Sequence, residues 1–373
     1  MRNRNCLLLV VLIGGGLLVG AAKADSQNGL KQGTPEIKSA GPLAFGPSGV
    51  LFIGDTKSAA VFAIDTGDAP DSRAPADVNV NNIGKKIGSL LGTSRQNIQI
   101  NDLAVNPLSG NVYLSVTRTG SGQAQPALIK VTPAGEVTAV SLKDIPFAKA
   151  DLPNPPEDKE IDTRRGKKND RNESITDLAF FDDRVYVAGL SNEDFASKLR
   201  SLAFPFDEAD TGTSVEIFHA SHGKMETHSP VRTFVPFDIG GEPHLLASYT
   251  CTPLVTFPVS QLTPDAKVTG KTVAELGNRN RPLDMIVYEQ DGQRFVMMAN
   301  SARGVMKFSA EGIDKVEPLT EKVPDKAGHP YETIEELKGV VQLDKLDDAS
   351  AIVLVSSEAK KGEKFDLKTV PLP

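Results

Sequence analysis

Apolar residues in this chain gather into short runs broken by turn-forming residues, and the runs come in pairs. Leu43-Ala44-Phe45 leads through a turn at 46–49 into a second run at 50–53, and a third follows at 60–64. Residues 102–105 turn through Asn106-Pro107-Leu108-Ser109-Gly110 into Val112-Tyr113-Leu114. The figure returns at 175–180 with 185–187, at 232–237 with 244–251, and at 283–288 with 295–299. A weaker sixth copy pairs 340–343 with 351–355. Alternating apolar segments joined by Gly, Asn, Asp and Pro predict antiparallel hairpins.

The hairpins begin about 50 to 75 residues apart, the spacing of four-stranded propeller blades. A twisted four-stranded sheet cannot bury both of its faces alone, whereas sheets set radially about an axis cover one another. The pattern therefore predicts an all-β chain folded as a β-propeller of six four-stranded antiparallel blades. The count becomes seven if the irregular stretch 70–97 conceals a degenerate one.

Two stretches interrupt the repeat. Ile83, Ile87, Leu90 and Leu91 recur at helical spacing, which predicts a short amphipathic helix over 82–93 on the rim. Residues 152–174 are rich in Pro, Lys, Arg, Asp and Glu and predict a solvated loop. Its basic pairs Arg164-Arg165 and Lys167-Lys168 have a competing reading as an anion attractor.

The N-terminus predicts an export signal: Arg2 and Arg4, an apolar run over 6–22, then Ala22-Lys23-Ala24 as a cleavage site after residue 24. The run is shorter than the roughly 20 residues of a spanning helix, which argues against a retained anchor. The expectation is a periplasmic or secreted protein with residues 25–373 as one domain. Net charge is −7 with both signs interspersed, which excludes a nucleic-acid binder. There are 2 cysteines, and only Cys251 lies outside the signal, so no internal disulfide framework exists.

Residues with reactive or ligating side chains crowd into 219–251, which holds four of the 5 histidines and Cys251. Blade topology sends the outer-to-inner connections and the second-to-third-strand turns to one end of the disc, here called the top. His219, His222 and His228 fall in such a connection, and Cys251 ends a second strand, so all four are expected at the top. His244 follows the opposite turn and is expected at the bottom. Three imidazoles and a thiolate suit copper or zinc, with copper favoured by Met225 as an axial thioether. The competing readings are histidines bonded to the loop backbone with a buried inert thiol, and metal-free acid–base chemistry at Cys251 or a histidine.

The next connection contributes Arg279 and Arg281, and its turn contributes Arg303, beside Asn278, Asn280 and Asn300. This forms a basic wall for a small anionic ligand, or a set of structural ion pairs. Asp102, Asp177 and Asp284 open inner strands and ring the channel, as ligands of calcium or as caps on strand-end amides.

The segments GPLAFGPSGVLFIGD and NDLAVNPLSGNVYLSV resemble the exported NHL-like and lactonase-like β-propellers, over a span from about Gly41 to the C-terminus. The resemblance implies the propeller fold. For the lactonase-like branch it implies a divalent cation held in the channel by acidic and amide side chains, a pattern from which the His/Cys cluster departs. The function expected from the sequence is a metal-dependent oxidoreductase acting on a small anionic substrate. Cys251, Arg279, Arg281 and Arg303 would be its working residues, and His219, His222, His228 and Cys251 its metal ligands. A non-catalytic propeller that binds a ligand or a partner protein is the alternative, and a calcium-dependent hydrolase is the third.

Overall fold

The computed structural model describes residues 29–70, 77–120, 122–163, 166–206, 209–359 and 362–373; the segment expected to be an export signal and Arg164-Arg165 lie outside them. Nearly every described element is a strand in an antiparallel sheet. The hairpins form where the alternation predicted them. Their inner strands are Leu43–Phe45, Ile98–Val105, Asp177–Phe181, Thr233–Ile239, Pro282–Gln290 and Val340–Lys345. These strands adjoin one another in a closed circuit around a channel, which makes the chain a β-propeller.

The circuit does not follow chain order. The strand Leu43–Phe45 of the first blade lies between those of the second blade and the third. After building Val50–Asp55 and Ala60–Asp65, the chain leaves the first blade and lays Val80 beside Leu367 of the sixth. It then forms the second blade and returns as Ile145–Asp151 to complete the first. The stretch 70–97 thus supplies a closing bridge and the helix Ile83–Leu90 rather than a blade among its described residues. Ile83 and Ile87 are fully buried against Ile352, Leu354 and Leu367, so the helix seals the seam between the second and sixth blades; Leu90 is left exposed. Apolar side chains fill every seam in this way, as where Phe52 of the first blade stacks on Phe180 of the third with ring centroids 5.7 Å apart.

The third and fourth blades share an edge. Thr213–His219 runs parallel to Lys267–Leu276, Ser214 opposite Lys267 and Ile217 opposite Gly270, and this merges the two sheets. Each outer strand thereby covers the unpaired backbone of the other. Residues 152–174 contain an exposed hairpin, Ile161–Thr163 with Gly166–Lys168. Its basic residues are paired: Lys167 with Glu160 at 2.7 Å, and Lys168 with Asp170 at 2.7 Å. Arg171 ties the loop to the Pro156 and Lys57 carbonyls.

Carboxylates stitch the inner strands together. The Leu43 amide donates to Asp102 at 2.7 Å, Phe234 to Asp177 at 2.8 Å, Leu343 to Asp284 at 2.8 Å, and Val105 to Asp344 at 2.7 Å. In each case the donor belongs to a neighbouring blade. The second oxygen of Asp177, Asp284 and Asp344 accepts the amide of the next residue in its own strand. Asp102, Asp177 and Asp284 thus do act as caps on strand-end amides, and Asp344 joins them.

Burial pushes Asp177 up to about 7 and Asp344 to about 6, against the amide bonds that favour the ionised form. Asp102 and Asp284 are raised too, by burial and then by the neighbouring carboxylates. An unfolded aspartate ionises near 3.8, so the fold binds these protons more tightly than the unfolded chain does. This stabilisation is complete below about pH 4 and is lost as pH rises through 6 to 7, on the order of 4 kcal/mol for Asp177 over the whole span. Thermal unfolding between pH 5 and 8 is expected to show Tm falling by several degrees as pH rises, with a flatter slope in a D177N/D344N variant. A Tm that climbs across this window shows that the amide bonds outweigh burial and contradicts the raised pKa values of these carboxyls.

Candidate functional site

The shared edge of the third and fourth blades assembles a cluster of imidazoles and carboxylates at the top. His219 ends its strand, and a tight turn, with the His222 and Gly223 amides donating to the His219 carbonyl at 3.1 and 2.8 Å, folds His222 over it. The two rings lie 3.8 Å apart at 35°. The returning strand Lys224–Glu226 pairs Glu226 with Ile217, which puts Glu226 on the same sheet face as His219 and Met225 on the other. The Glu226 carboxylate meets His219 Nδ1 at 3.0 Å and His222 Nδ1 at 2.7 Å, and it accepts the Ser229 hydroxyl at 2.6 Å. Burial opposes ionisation of Glu226, but the hydrogen bonds from His219, Ser229 and His222 outweigh it and hold the carboxyl well below its usual range.

Parallel to His219 runs the strand that carries Glu275. Its side chain is buried and accepts the Ser221 amide at 3.1 Å, and burial raises its pKa. His219 Nε2 stands 3.9 Å from Glu275 Oε1. Both His219 Nε2 and Glu275 Oε2 are buried without a hydrogen-bond partner. Leaving buried polar atoms unmatched is costly, and two of them on neighbouring side chains mark a polar pocket that is incompletely satisfied.

His219 and His222 are thus brought together, with Glu226 as the third converging group among the described residues. His228 is exposed and bonds Thr227 Oγ1. Cys251 reaches the same end, since Pro253 pairs with Glu275, but it belongs to a turn rather than to the cluster. Cys251 and Thr252 have φ of 66° and 59°, and the Cys251 amide donates to the Asn280 carbonyl at 2.7 Å. His244 lies at the other end, paired with Phe237. Glu226 and Glu275 were missed in the sequence. Glu226 had a signal, four residues after His222; Glu275 had none, because only the parallel pairing of distant strands brings it near.

The channel offers a second constellation. A cavity of about 500 Å³ at its top is lined by Gln99, Asn101, Thr176, Arg232, Arg281 and Gln342 above Asp102, Asp177 and Asp284. It shares Gln99, Asn101, Arg232 and Arg281 with a neighbouring cavity of about 660 Å³ under the loop residues Asn172 and Glu173. Below the aspartates a third cavity, lined by Leu103, Phe234 and Met285, continues the channel, so the carboxylates form its waist. They are not gathered as calcium ligands would be. The ligand atoms that converge among the described residues are those of His219, His222 and Glu226.

Of the expected basic wall, only Arg281 faces the cavity. Arg303 is tied to Asp325 at 3.1 Å and packs on Gly277, where a Cβ would overlap its guanidinium. Arg279 is exposed in a left-handed turn, φ 56°. Arg232 was missed in the sequence, although it precedes its inner strand as Arg281 precedes the next. Arg232 pairs with Glu173 at 2.7 Å and donates to Thr250 Oγ1. The Arg281 guanidinium has no partner among the described residues. Burial and then the positive charge of Arg232 push its pKa down, against the attraction of the Glu173 carboxylate that pairs with Arg232.

No family model matches the chain, and no curated protein does. Among solved structures it is similar to a putative oxidoreductase (glucose dehydrogenase) of Thermus thermophilus, with TM-score 0.36 and 12% identity over 91% of this chain and 99% of that one. It is similar as well to the PQQ-bound aldose sugar dehydrogenase of Streptomyces coelicolor, with TM-score 0.30 and 12% identity over 92% and 97%. A streptogramin B lyase gives TM-score 0.29 and 8% identity over 92% and 97%. At these scores the likeness assigns the chain neither activity nor ligand.

Two consecutive left-handed residues without glycine are strained, by about 1 kcal/mol each. Cys251→Gly is therefore expected to raise Tm and to leave the His219–His222–Glu226 geometry intact, as read by the histidine NMR resonances. A fall in Tm, or displaced histidine signals, assigns Cys251 to the cluster instead of the turn.

Proposed function

We propose that this protein is an exported β-propeller that takes a small anionic molecule into the top of its channel, between Arg232 and Arg281. The observation that supports this most directly is the Arg281 guanidinium, which lines a polar cavity beside Arg232 and makes no hydrogen bond or close ion pair of its own among the described residues. Two adjacent cations repel one another, and an anion that bridges them relieves the repulsion while gaining charge-assisted hydrogen bonds. The cavity of about 500 Å³ is of the size that holds a small ligand. The carboxylate waist repels an anion, so the charged group stays at the mouth. Gln342 Oε1, buried without a partner, awaits a donor such as a ligand hydroxyl. The ligand class that fits is a small carboxylate or phosphate carrying hydroxyl groups.

The metal-dependent oxidoreductase expected from the sequence placed copper on His219, His222, His228 and Cys251 beside the anion. With His228 and Cys251 apart from the His219–His222 pair and Met225 on the far face, the soft donors that favoured copper are gone. None of the cluster residues lines the cavity. Binding is therefore the function proposed, without a reaction attached. Export is supported by the N-terminal segment, and no helix among the described residues is long and apolar enough to cross a membrane.

Calorimetry with citrate, gluconate and inorganic phosphate on the mature chain tests the reading. Binding by at least one of the three is expected, weakening with salt, with affinity reduced about tenfold to a hundredfold in Arg281→Ala, as for loss of a charge-assisted pair. An unchanged affinity in that variant, or no binding by any of the three, contradicts it.

A further inference from the structure

We propose that His219, His222 and Glu226 form a binding site for a borderline divalent metal ion of the zinc class, with Glu275 fixing the imidazole of His219 from behind. The site is separate from the channel cavity and independent of what binds there.

The placement of the protons decides how such an ion is held. In the structure one carboxylate, Glu226, faces the Nδ1 atoms of two stacked imidazoles at 3.0 and 2.7 Å. The three donor atoms lie within 4.8 Å of one another, a spacing from which an ion can reach all of them with small side-chain adjustments. Metal binding replaces the Nδ1 protons, so both imidazoles coordinate as neutral ligands through Nδ1 and Glu226 through an oxygen. The proton of His219 then resides on Nε2, which is buried, unpartnered and 3.9 Å from Glu275 Oε1, close enough for a small side-chain adjustment to bring it to the carboxylate.

Glu275 completes the arrangement. A ligating histidine ordinarily donates its other ring nitrogen to a carboxylate, which sets the tautomer and raises the basicity of the bound nitrogen. Glu275 has a buried oxygen in need of a donor, and it is held in place by the Ser221 amide. The Ser229 hydroxyl holds Glu226 in the same way from the other side.

The donor set defines the ion class. Two imidazole nitrogens and one carboxylate oxygen, with no sulfur, suit zinc(II) and similar borderline ions rather than copper(I) or calcium. His222 is exposed, so the fourth position opens to solvent and admits water or an outside ligand. The shared blade edge holds the two halves of the site, because His219 and Glu275 sit at the same end of parallel strands.

Calorimetry of the mature chain, stripped with EDTA, dialysed and titrated with zinc chloride, tests the proposal. One ion per chain is expected, with proton release seen as a dependence of the heat on buffer ionisation. His222→Ala, at an exposed position where folding is untouched, is expected to reduce affinity at least a hundredfold. Glu275→Gln, a positioning change, reduces it about tenfold to a hundredfold. Failure of the wild-type chain to take up zinc, or an unchanged affinity in both variants, overturns the site and leaves His219 as a structural histidine hydrogen-bonded to Glu226. Arg281→Ala leaves zinc uptake unchanged and His222→Ala leaves anion binding unchanged, so this proposal and the channel reading fail separately.

Discussion

The inner strands of this propeller are held to one another by carboxylates. Inner strands of adjacent blades share no ladder hydrogen bonds, so their edges present backbone amides to the channel. Aspartates reach sideways to cap them at four of the six junctions: between the first and second blades, the third and fourth, the fifth and sixth, and, through Asp344 and the Val105 amide, the sixth and second. The cost is a belt of buried carboxyls, whose protons bind tightly first because of burial and then, at Asp102 and Asp284, because of the neighbouring carboxylates. The channel therefore has a polarity along its axis, with guanidinium groups at the mouth and carboxyls at the waist.

The same radial arrangement puts distinct chemistries at one end of the molecule. Loops that enter inner strands deliver Arg232 and Arg281 to the channel. Outer strands deliver His219 and Glu275 to the seam where the third and fourth blades merge. An ordinary propeller leaves those outer strands as separate edges. Here their parallel pairing supplies edge protection and, with it, a buried polar pocket at the strand ends.

Much of this was legible in the sequence, for physical reasons. Hairpins are local: alternating runs and a Gly- or Asp-rich turn specify them without reference to the rest of the chain, and each inner strand lies where its run falls. The amphipathic spacing of Ile83 and Ile87 located the rim helix. The path between blades was not legible, because Ile145–Asp151 completes a sheet whose other strands end at Asp65, and no local pattern records that return. For the site, loop topology placed His219, His222 and Cys251 at one end, while side-chain direction decided which of them meet. Cys251 is turned away by a left-handed backbone that composition cannot reveal. Arg232 was readable in principle, since it precedes its inner strand as Arg281 precedes the next; Asp344 was not, because Gln342 holds the position that corresponds to Asp284 and Asp344 lies two residues further along.

Amide hydrogen exchange resolved by residue is the most direct test of the stitched circuit. The amides of Leu43, Val105, Phe234 and Leu343 line a solvent-filled channel, yet each donates to an aspartate of a neighbouring blade. They are expected to exchange only with global unfolding, as slowly as the central strand amides at the same pH. Exchange at the rates of open loop amides shows that the carboxylates do not hold the inner strands and contradicts the account.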